Sequence, residues 1–435
     1  MDTVNISINR IAKRYHLNGL FVNLPIDKSE IRQSELDIKT KVRSNPLKWT
    51  GQFSPQLVNV LIKNYADNKT IIFDPFLGSG TTIYEAGLAG ISAVGTEINP
   101  SAFLLSRLYH YINVPLNLRK QYLSDITDLL NRAYDGNGFL RPLMEENCDD
   151  AVKKKTLEIL NNIKDNERTQ IFEAFVILLD FFKKNKTVES VFKAWNKLFL
   201  LINGLPFSEG KVSAYHADAR KTPLSNSYVD LVITSPPYIN VFNYHQQYRE
   251  SAELLNWDLL KVAKSEIGAN RKHRGNRFLT VIQYCLDMAQ TFNELLRVCT
   301  SNARVIFVIG RESQIRGIAF YNGEIVGEVA HRALGFNLIL RQERVFRNRF
   351  GQDIYEDILH FVPKKKTESL TFIEQARTVA QEVLESAYLI NHDEPRNEIK
   401  QALQHIEEIK PSPYLDITEL REGVKTNERF SVSPR

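Results

Sequence analysis

The chain has 435 residues, enough for one large hydrophobic core or two ordinary ones, and its composition is that of a soluble globular protein. With 56 Lys and Arg against 51 Asp and Glu, the formal net charge is only +5, so affinity for a polyanion must come from local clusters. The three cysteines, Cys148, Cys285 and Cys299, form no Cys-x-x-Cys and no Pro-Cys pair. A disulfide framework, a metal site and a cysteine nucleophile are therefore unsupported.

The chain also lacks the apolar segments that direct proteins to membranes. Residues 1–14 are polar, and no apolar run reaches the roughly 18 residues that would span a bilayer. We therefore expect a cytoplasmic protein, in the prokaryotic cytosol or nucleoid, with no membrane partner.

Residues 45–115 alternate between helix and strand patterns. Ser54-Pro55 suits a helix start, and apolar residues then recur on one face as far as Tyr65. A strand over 70–73, a Gly-rich turn, a helix over 81–88 and a strand over 92–98 follow. This alternation predicts a parallel sheet.

The pattern changes to charged helices over 116–210 and returns to strands and helices over 211–363. The predicted elements of the second sheet segment are strands over 211–217, 228–234, 303–310, 338–346 and 357–362, with helices over 279–299 and 325–334. We thus divide the chain into an N-terminal extension (1–44), two sheet segments (45–115 and 211–363), a helical insertion between them (116–210) and a helical C-terminal extension (364–435).

Two turns that follow apolar strands carry unusual residues. Asp74-Pro75-Phe76-Leu77-Gly78-Ser79-Gly80-Thr81-Thr82 follows the first strand, and its glycines allow a ligand to approach the backbone and the next helix N-terminus. A dinucleotide-binding turn would need glycine where Ile83 stands, and no Gly-Lys pair forms a phosphate loop. Ser235-Pro236-Pro237-Tyr238 follows the strand at 228–234. Its two prolines fix φ and combine a hydroxyl, carbonyls and a ring in one rigid turn that suits a flat base with an exocyclic amine.

Acidic residues stand at the ends of three predicted strands. Asp74, Glu97 and Asp218 follow the first, second and third strand. An acid at the end of the second strand can accept hydrogen bonds from two ribose hydroxyls. The three together indicate one nucleoside-containing ligand at this edge of the sheet.

The two turns together resemble motifs I and IV of the amino-group DNA methyltransferases, which use S-adenosylmethionine, and 51–55 looks like motif X of that family. Ser-Pro-Pro-Tyr is similar to the N4-cytosine members, whereas Asp-Pro-Pro-Tyr is commoner among N6-adenine members. The resemblance implies an α/β, Rossmann-like class I methyltransferase fold. That fold has a mostly parallel seven-stranded sheet with helices on both faces, here with a helical insertion and a helical C-terminal region added.

The family also implies roles for these residues. Asp74 and the Gly-rich turn would bind the methionine part of the cofactor, Glu97 the ribose and Asp218 the adenine amine, with Phe53 against the cofactor. The implied cofactor-binding residues are Phe53, Asp74, Pro75, Phe76, Gly78, Ser79, Gly80, Thr81, Thr82, Glu97 and Asp218.

The implied catalytic residues are Ser235, Pro236, Pro237 and Tyr238. The N4 amine of cytosine is a poor nucleophile because its lone pair is delocalised into the ring. In the family, the first residue of motif IV and the next proline carbonyl accept hydrogen bonds from the amine, so Ser235 and Pro236 would have these roles here. Tyr238 would stack on a base flipped out of duplex DNA, and methyl transfer would be a direct displacement.

The segment 261–277 is the best candidate for DNA contact, because it is basic and follows the catalytic turn. The proposed DNA-binding residues are Lys264, Arg271, Lys272, Arg274 and Arg277, with Ser265, Asn270 and Asn276 as further donors. The helical insertion is the alternative site of target recognition. The expected partner is double-stranded DNA, with a cognate restriction endonuclease as a second candidate.

Three alternatives remain open at this stage. An N6-adenine DNA methyltransferase and an RNA or transfer-RNA base methyltransferase share the Gly-rich turn, and Ser235 in place of aspartate argues mildly against both. A non-catalytic cofactor-binding partner is disfavoured by the intact turn and acids. The leading expectation is a site-specific N4-cytosine DNA methyltransferase of a restriction-modification or defence system.

Overall fold

The computed structural model describes residues 20–40, 42–134, 148–183, 185–239, 243–269, 273–348, 350–364, 371–390, 395–417 and 420. Seven of the strands form one mostly parallel sheet, and the chain has two compact units. The first unit comprises 40–224, 244–263 and 415–435, and the second comprises 1–39, 225–243 and 264–414. The α/β fold class predicted from the sequence is confirmed.

The strands, in chain order, are β1 (Ile71–Asp74), β2 (Ser92–Glu97), β3 (Val212–His216), β4 (Val229–Thr234), β5 (Cys299–Gly310), β6 (Glu312–Ile315), β7 (Ile318–Tyr321), β8 (Asn337–Arg347) and β9 (Asp353–Val362). The helices up to the end of the insertion are α1 (Leu20–Asn23), α2 (Gln33–Asp37), α3 (Pro55–Tyr65), α4 (Thr81–Leu88), α5 (Pro100–Ser106), α6 (Leu116–Tyr134), α7 (Cys148–Asn162), α8 (Asn166–Leu179) and α9 (Val188–Gly204). The later helices are α10 (Arg249–Leu254), α11 (Leu259–Ser265), α12 (Leu279–Val298), α13 (Asn322–Glu328), α14 (Phe372–Ile390) and α15 (Pro395–Gln404).

The first unit contains three parallel strands in the order β3-β2-β1. Pro55 opens α3, as predicted, and the apolar face of this helix is buried. The Asn99 side chain caps α5 by accepting bonds from the next backbone N–H groups. The Asn99 cap fixes the N-terminus of α5 directly after the end of β2.

The helical insertion, α6 to α9, belongs to the first unit, and its two ends are tied together. The Asn113 side chain donates to the carbonyls of Ser208 and Gly210 and accepts from the N–H of Val212 at 2.8–2.9 Å. Within the insertion the buried Arg119 donates to two carbonyls at the end of α9. The insertion therefore leaves and rejoins the sheet at one point.

The second unit contains β4, β5, β9 and β8 in that order, with β4 and β5 parallel and the other two antiparallel. Helix α12 buries a long apolar face, and its Phe292 packs among Phe307, Phe336 and Phe361. These aromatic contacts form the core under the β5 and β9 strands.

Most predicted elements are confirmed within a few residues, including α4, α12 and the strands β1 to β5, β8 and β9. The hairpin β6-β7 and the short helices α10 and α11 were not predicted, because their segments are too short for a clear period. Among the described residues, no helix is both long and apolar enough to cross a membrane.

Candidate active site

The Gly-rich turn after β1 is organised by Asp74. This buried carboxylate accepts a 2.6 Å bond from the hydroxyl of Thr82 and a 3.0 Å bond from the N–H of Phe76. The carbonyl of Pro75 accepts from the hydroxyl of Thr96 on β2. The turn is therefore fixed at both ends by side chains of its own and of the neighbouring strand.

Gly80 shows why this turn needs glycine. Its φ is 94°, in the left-handed region, and it directly precedes α4. A Cβ atom there would lie 2.7 Å from Cδ2 of the buried Tyr109. Any side chain at this position would clash with Tyr109. The residue is therefore glycine, and no side chain covers the backbone at the N-terminus of α4, where a ligand can approach it.

Glu97, at the end of β2, connects the turn to the second strand. Its Oε2 accepts from the N–H of Gly78 at 2.7 Å, and its Oε1 accepts from the N–H of Asn99 at 2.7 Å. The residue is 9% exposed. The carboxylate is thus held by one backbone N–H on each of its two oxygens.

The segment that looks like motif X lies against the same turn. Gln52 Nε2 donates to Ser79 Oγ at 2.6 Å, and Thr81 Oγ1 donates to Asn45 Oδ1 at 3.1 Å. The Asn45 amide in turn donates to the carbonyl of Phe53. Phe53, which is half-buried, is thereby held on a segment that is bonded directly to the Gly-rich turn.

Asp218 is paired inside the protein. Its two oxygens accept from the Nε, Nη2 and backbone N–H of Arg220 at 2.6–3.0 Å, and from the N–H of Leu415 at 3.3 Å. Both side chains of the ion pair are buried. These four donors match the lone-pair sites of a carboxylate, so a ligand amine would have to replace one of them. Leu415 donates the longest bond of the set.

His216, at the end of β3, lies between two aromatic rings. It stacks on Phe103 with 5.1 Å between ring centroids and contacts Trp257 edge-on, also at 5.1 Å. Its Nε2 lies 3.0 Å from the carbonyl of Ile98, so this nitrogen carries the proton and donates. Desolvation lowers the pKa of His216 to about 4, and the imidazole is neutral at physiological pH.

The Ser-Pro-Pro-Tyr turn belongs to the second unit and directly follows β4. The hydroxyls of Ser235 and Tyr238 are 3.5 Å apart, and the Tyr238 hydroxyl also bonds the backbone of Gly310. The Tyr284 hydroxyl on α12 donates to the carbonyl of Pro237 at 3.0 Å. The turn is thus fixed by hydrogen bonds at Pro237 and at Tyr238.

The ring of Tyr238 lies against Gly310 at the end of β5. A Cβ atom on Gly310 would be 2.8 Å from Cε2 of Tyr238. Gly310 pairs with Glu356 on β9, and Glu356 pairs with Arg344 on β8, with a 2.9 Å ion pair between the two side chains. Desolvation, followed by the charge of Glu356, raises the pKa of Tyr238 well above its usual value, so its hydroxyl stays protonated.

The basic segment after the catalytic turn is in contact with it. Gly268 has φ of 72°, and a Cβ there would lie 2.7 Å from the carbonyl oxygen of Tyr238. Lys264, Arg274 and Arg277 are exposed, and Arg271 and Lys272 lie outside the described residues, as does Asn270.

Two of the further donors predicted in that segment are engaged in the fold instead. Ser265 is buried, and the amide of Asn276 donates to the carbonyl of Glu398 at 2.7 Å. A sequence pattern does not show which polar side chains anchor a loop to its own protein, as these two do.

The donor set of the first unit fits S-adenosylmethionine. The Gly-rich turn and Glu97 are joined by a third group, the side-chain amide of Asn99. Its Nδ2 has no acceptor among the described residues, although Asn99 is only 1% exposed. A buried donor without a partner costs free energy, and an acceptor atom of a nucleoside would satisfy it. The sequence interpretation missed Asn99; its signal was an Asn-Pro pair directly after the second-strand acid.

The predicted cofactor-binding residues all belong to the first unit, and the predicted catalytic and DNA-binding residues to the second. Residues 21–107 match the protein-family model N6_N4_Mtase, described as DNA methylase. The match covers the Gly-rich turn, Glu97 and Asn99, which supports the prediction of a DNA methyltransferase.

Two individual proteins are also similar to the chain. The type II methyltransferase M.MjaII of Methanocaldococcus jannaschii is 21% identical over an alignment of 424 positions, and the match covers 71% of this chain and 78% of that protein. The crystal structure of a SAM-dependent methyltransferase from Methanosarcina mazei is 12% identical with a TM-score of 0.32, and the match covers 70% of this chain and 98% of that one. The family match and the relative leave N4-cytosine and N6-adenine as target bases undistinguished.

Proposed function

We propose that the protein transfers a methyl group from S-adenosylmethionine to the N4 amine of a cytosine flipped out of double-stranded DNA. The observation that carries the proposal is the turn Ser235–Tyr238, anchored by Tyr284 and Gly310, in a chain whose residues 21–107 match a DNA methylase family. The similarity to a type II methyltransferase supports a restriction-modification role, with a cognate endonuclease as partner.

In this proposal the first unit binds the cofactor, which supplies an electrophilic methyl group on a sulfonium. The turn around Asp74 binds the methionine part, and the carboxylate of Glu97, at the end of β2, accepts from the ribose hydroxyls. Asn99 Nδ2 donates to the nucleoside, and Asp218 accepts from the adenine amine in place of the long Leu415 bond. The remaining contacts come from Phe53, Pro75, Phe76, Gly78, Ser79, Gly80, Thr81 and Thr82.

The second unit prepares the base. Ser235 Oγ and the Pro236 carbonyl accept hydrogen bonds from the N4 amine, which localises its lone pair for attack. Tyr284 bonds the neighbouring Pro237 carbonyl, so the turn needs no rearrangement when the base arrives. The ring of Tyr238 stacks on the base and partly offsets the cost of unstacking it from the duplex.

The exposed cations beside the catalytic turn bind the DNA backbone. Lys264, Arg274 and Arg277 contact phosphates, with Arg271 and Lys272 as further members of the set. The contact between Gly268 and the Tyr238 carbonyl supports this assignment, because it ties the basic segment to the turn that binds the base. In this proposal the insertion at 116–210 contributes to recognition of the target sequence.

The experiment is to express the protein with a plasmid and to identify the modified nucleosides by mass after digestion. We expect N4-methylcytosine in the DNA. N6-methyladenine in the DNA would show that the target base is adenine and not cytosine. A methylated base in RNA alone, or no modified base at all, would overturn the proposal.

Variants of the catalytic turn test its role separately. Ser235→Ala and Tyr238→Ala should lose methyl transfer and keep cofactor affinity, whereas Tyr238→Phe should keep most activity because the ring remains. Ser225→Ala, at an exposed serine before β4, is the matched control. A Tyr238→Phe variant as inactive as the alanine variant would make the hydroxyl essential and contradict the stacking role.

A further inference from the structure

Three half-buried aromatic rings of the first unit, which we call the aromatic cluster, lie close together with near-parallel planes. Trp49 is 6.5 Å from Tyr244, with an angle of 8° between the ring planes, and 6.3 Å from Tyr248, with an angle of 27°. None of the three is buried in the core. Near-parallel rings that remain partly exposed present flat apolar surface to a ligand.

Polar bonds fix these rings in place. The Tyr248 hydroxyl donates to the carbonyl of Lys48 at 3.3 Å, and the N–H of Thr50 donates to Oε1 of Gln247 at 2.8 Å. The segments before and after Trp49 are therefore fastened to the segment that carries both tyrosines. A ligand that stacks on the cluster would lose little free energy in ordering it.

The aromatic cluster also borders the proposed cofactor site. A Cβ atom on Gly78 would lie 3.4 Å from Cδ1 of Trp49, so the indole is in contact with the Gly-rich turn. The rings are thus close to the place where the cofactor is proposed to bind, and they belong to the same unit.

Three lysines lie close to one another beside the cluster, and one of them is paired with an aspartate. Lys48, Lys183 and Lys197 are exposed, and the pKa of Lys197 is lowered, first by desolvation and then by the charges of Lys48 and Lys183. Lys183 also interacts with the Tyr248 hydroxyl and pairs with Asp180 at 2.6 Å. Three cations near parallel rings favour a nucleic acid strand, because an acidic peptide would leave the ring faces without partners.

We propose that the aromatic cluster stacks on an unstacked base of the DNA substrate while Lys48, Lys183 and Lys197 contact the phosphates of that strand. The inference rests on the proposed function and specifies how the enzyme binds a strand whose stacking has been broken. Flipping one nucleotide out of a duplex leaves bases without stacking partners, and protein rings stack on bases with little sequence preference.

The probe is oligo(dT), which presents unstacked bases without needing a recognition sequence. Of the three tryptophans, Trp195 is 1% exposed and Trp257 contacts His216, so stacking on Trp49 should be visible as quenching of tryptophan fluorescence. We expect Trp49→Ala and Tyr248→Ala to bind oligo(dT) about 5- to 150-fold more weakly than the wild type. Trp49→Phe, which keeps a ring, should bind oligo(dT) nearly as the wild type does and lose most of the quenching.

Phe207→Ala, at an exposed ring outside the aromatic cluster, is the matched control and should bind as the wild type does. Replacement of Lys183 and Lys197 by glutamine should lower the dependence of binding on salt, whereas Lys63→Gln on α3 should not. These charge variants test the proposal even if a ring variant fails to fold.

Unchanged oligo(dT) affinity in Trp49→Ala would overturn the inference, and so would tighter binding of oligo(rU) than of oligo(dT) by the wild type. A Tyr248→Ala protein that loses affinity for the cofactor and keeps its affinity for oligo(dT) would also overturn it. The two proposals fail separately. A protein that binds oligo(dT) through Trp49 and methylates no DNA contradicts the proposed function. An active DNA methyltransferase whose KM for DNA is unchanged in Trp49→Ala contradicts the role of the aromatic cluster.

Discussion

The N–H of Gly78 donates a 2.7 Å hydrogen bond to Oε2 of Glu97. One carboxylate therefore serves both the Gly-rich turn and the end of β2, since its other oxygen accepts from Asn99. The conformation of the turn and the position of the proposed ribose acceptor are coupled. A change at Glu97 should therefore affect both.

Glu97→Gln keeps the volume of the side chain and removes one of its two acceptor atoms. The new NH₂ group faces the N–H of Gly78 or of Asn99, so a donor meets a donor. We expect the affinity for S-adenosylmethionine to fall about 10- to 150-fold, which corresponds to roughly 1.5–3 kcal/mol. Calorimetry measures it, with the exposed Glu209→Gln as control. Wild-type affinity in a folded Glu97→Gln protein would mean that the ribose binds elsewhere.

Gly310→Ala tests the position of the Tyr238 ring. The added methyl group would lie 2.8 Å from the ring and force it to move. We expect kcat to fall about 100-fold, as for a misplacement of about 1 Å, with unchanged cofactor affinity. Gly204→Ala, where a Cβ meets nothing within 4 Å, is the control. Full activity in Gly310→Ala would show that the ring position is not critical.

The exposed cations of the basic segment should set the salt dependence of DNA binding. Replacing Lys264, Arg274 and Arg277 by glutamine should lower the slope of log K against log salt by about 0.9 for each phosphate that the protein no longer neutralises. Binding to duplex DNA across a salt series measures this slope, and Lys400→Gln, exposed on α15, should leave it unchanged. An unchanged slope in the triple variant would move DNA recognition to the helical insertion.

The half-buried His216 should make the protein less stable in acid. Its pKa is about 4 when folded, against 6.5 when unfolded, so the unfolded chain binds more protons between these values. The resulting loss of stability is absent well above pH 6.5, grows as the pH drops towards 4, and amounts to about 2 kcal/mol at pH 5. Urea midpoints at pH 8 and pH 5 should differ less for His216→Gln than for the wild type.

His360 provides a second contribution in the same pH range, because desolvation and Arg304 lower its pKa to about 3. It is unchanged in the His216→Gln protein, so the difference between the two proteins isolates His216. His405→Gln, at an exposed position, is the control. An identical pH profile for wild type and His216→Gln would contradict the assignment of a neutral His216.

The sequence predicted the strands and turns well where one local rule was sufficient. Gly80 is an example, since a Gly-rich turn between a strand and a helix start has few conformations. It did not predict the fourth donor to Asp218, because the N–H of Leu415 comes from a segment 197 residues further along the chain. Nor did it identify Trp49, whose neighbours Tyr244 and Tyr248 are far away in the chain. Such contacts follow from the tertiary fold, and a single sequence contains no signal for them.

The bonds of Asn113 have a consequence for how this protein can be altered. Because residues 113 and 208–212 are bonded to one another, the chain needs only a short bridge to pass from β2 and α5 to β3 without the insertion. The two ends of the insertion are therefore bonded to each other. A different helical segment joined to the chain at residues 113 and 208–212 would leave the register of the strands intact, so these residues are suitable junctions for chimeric enzymes.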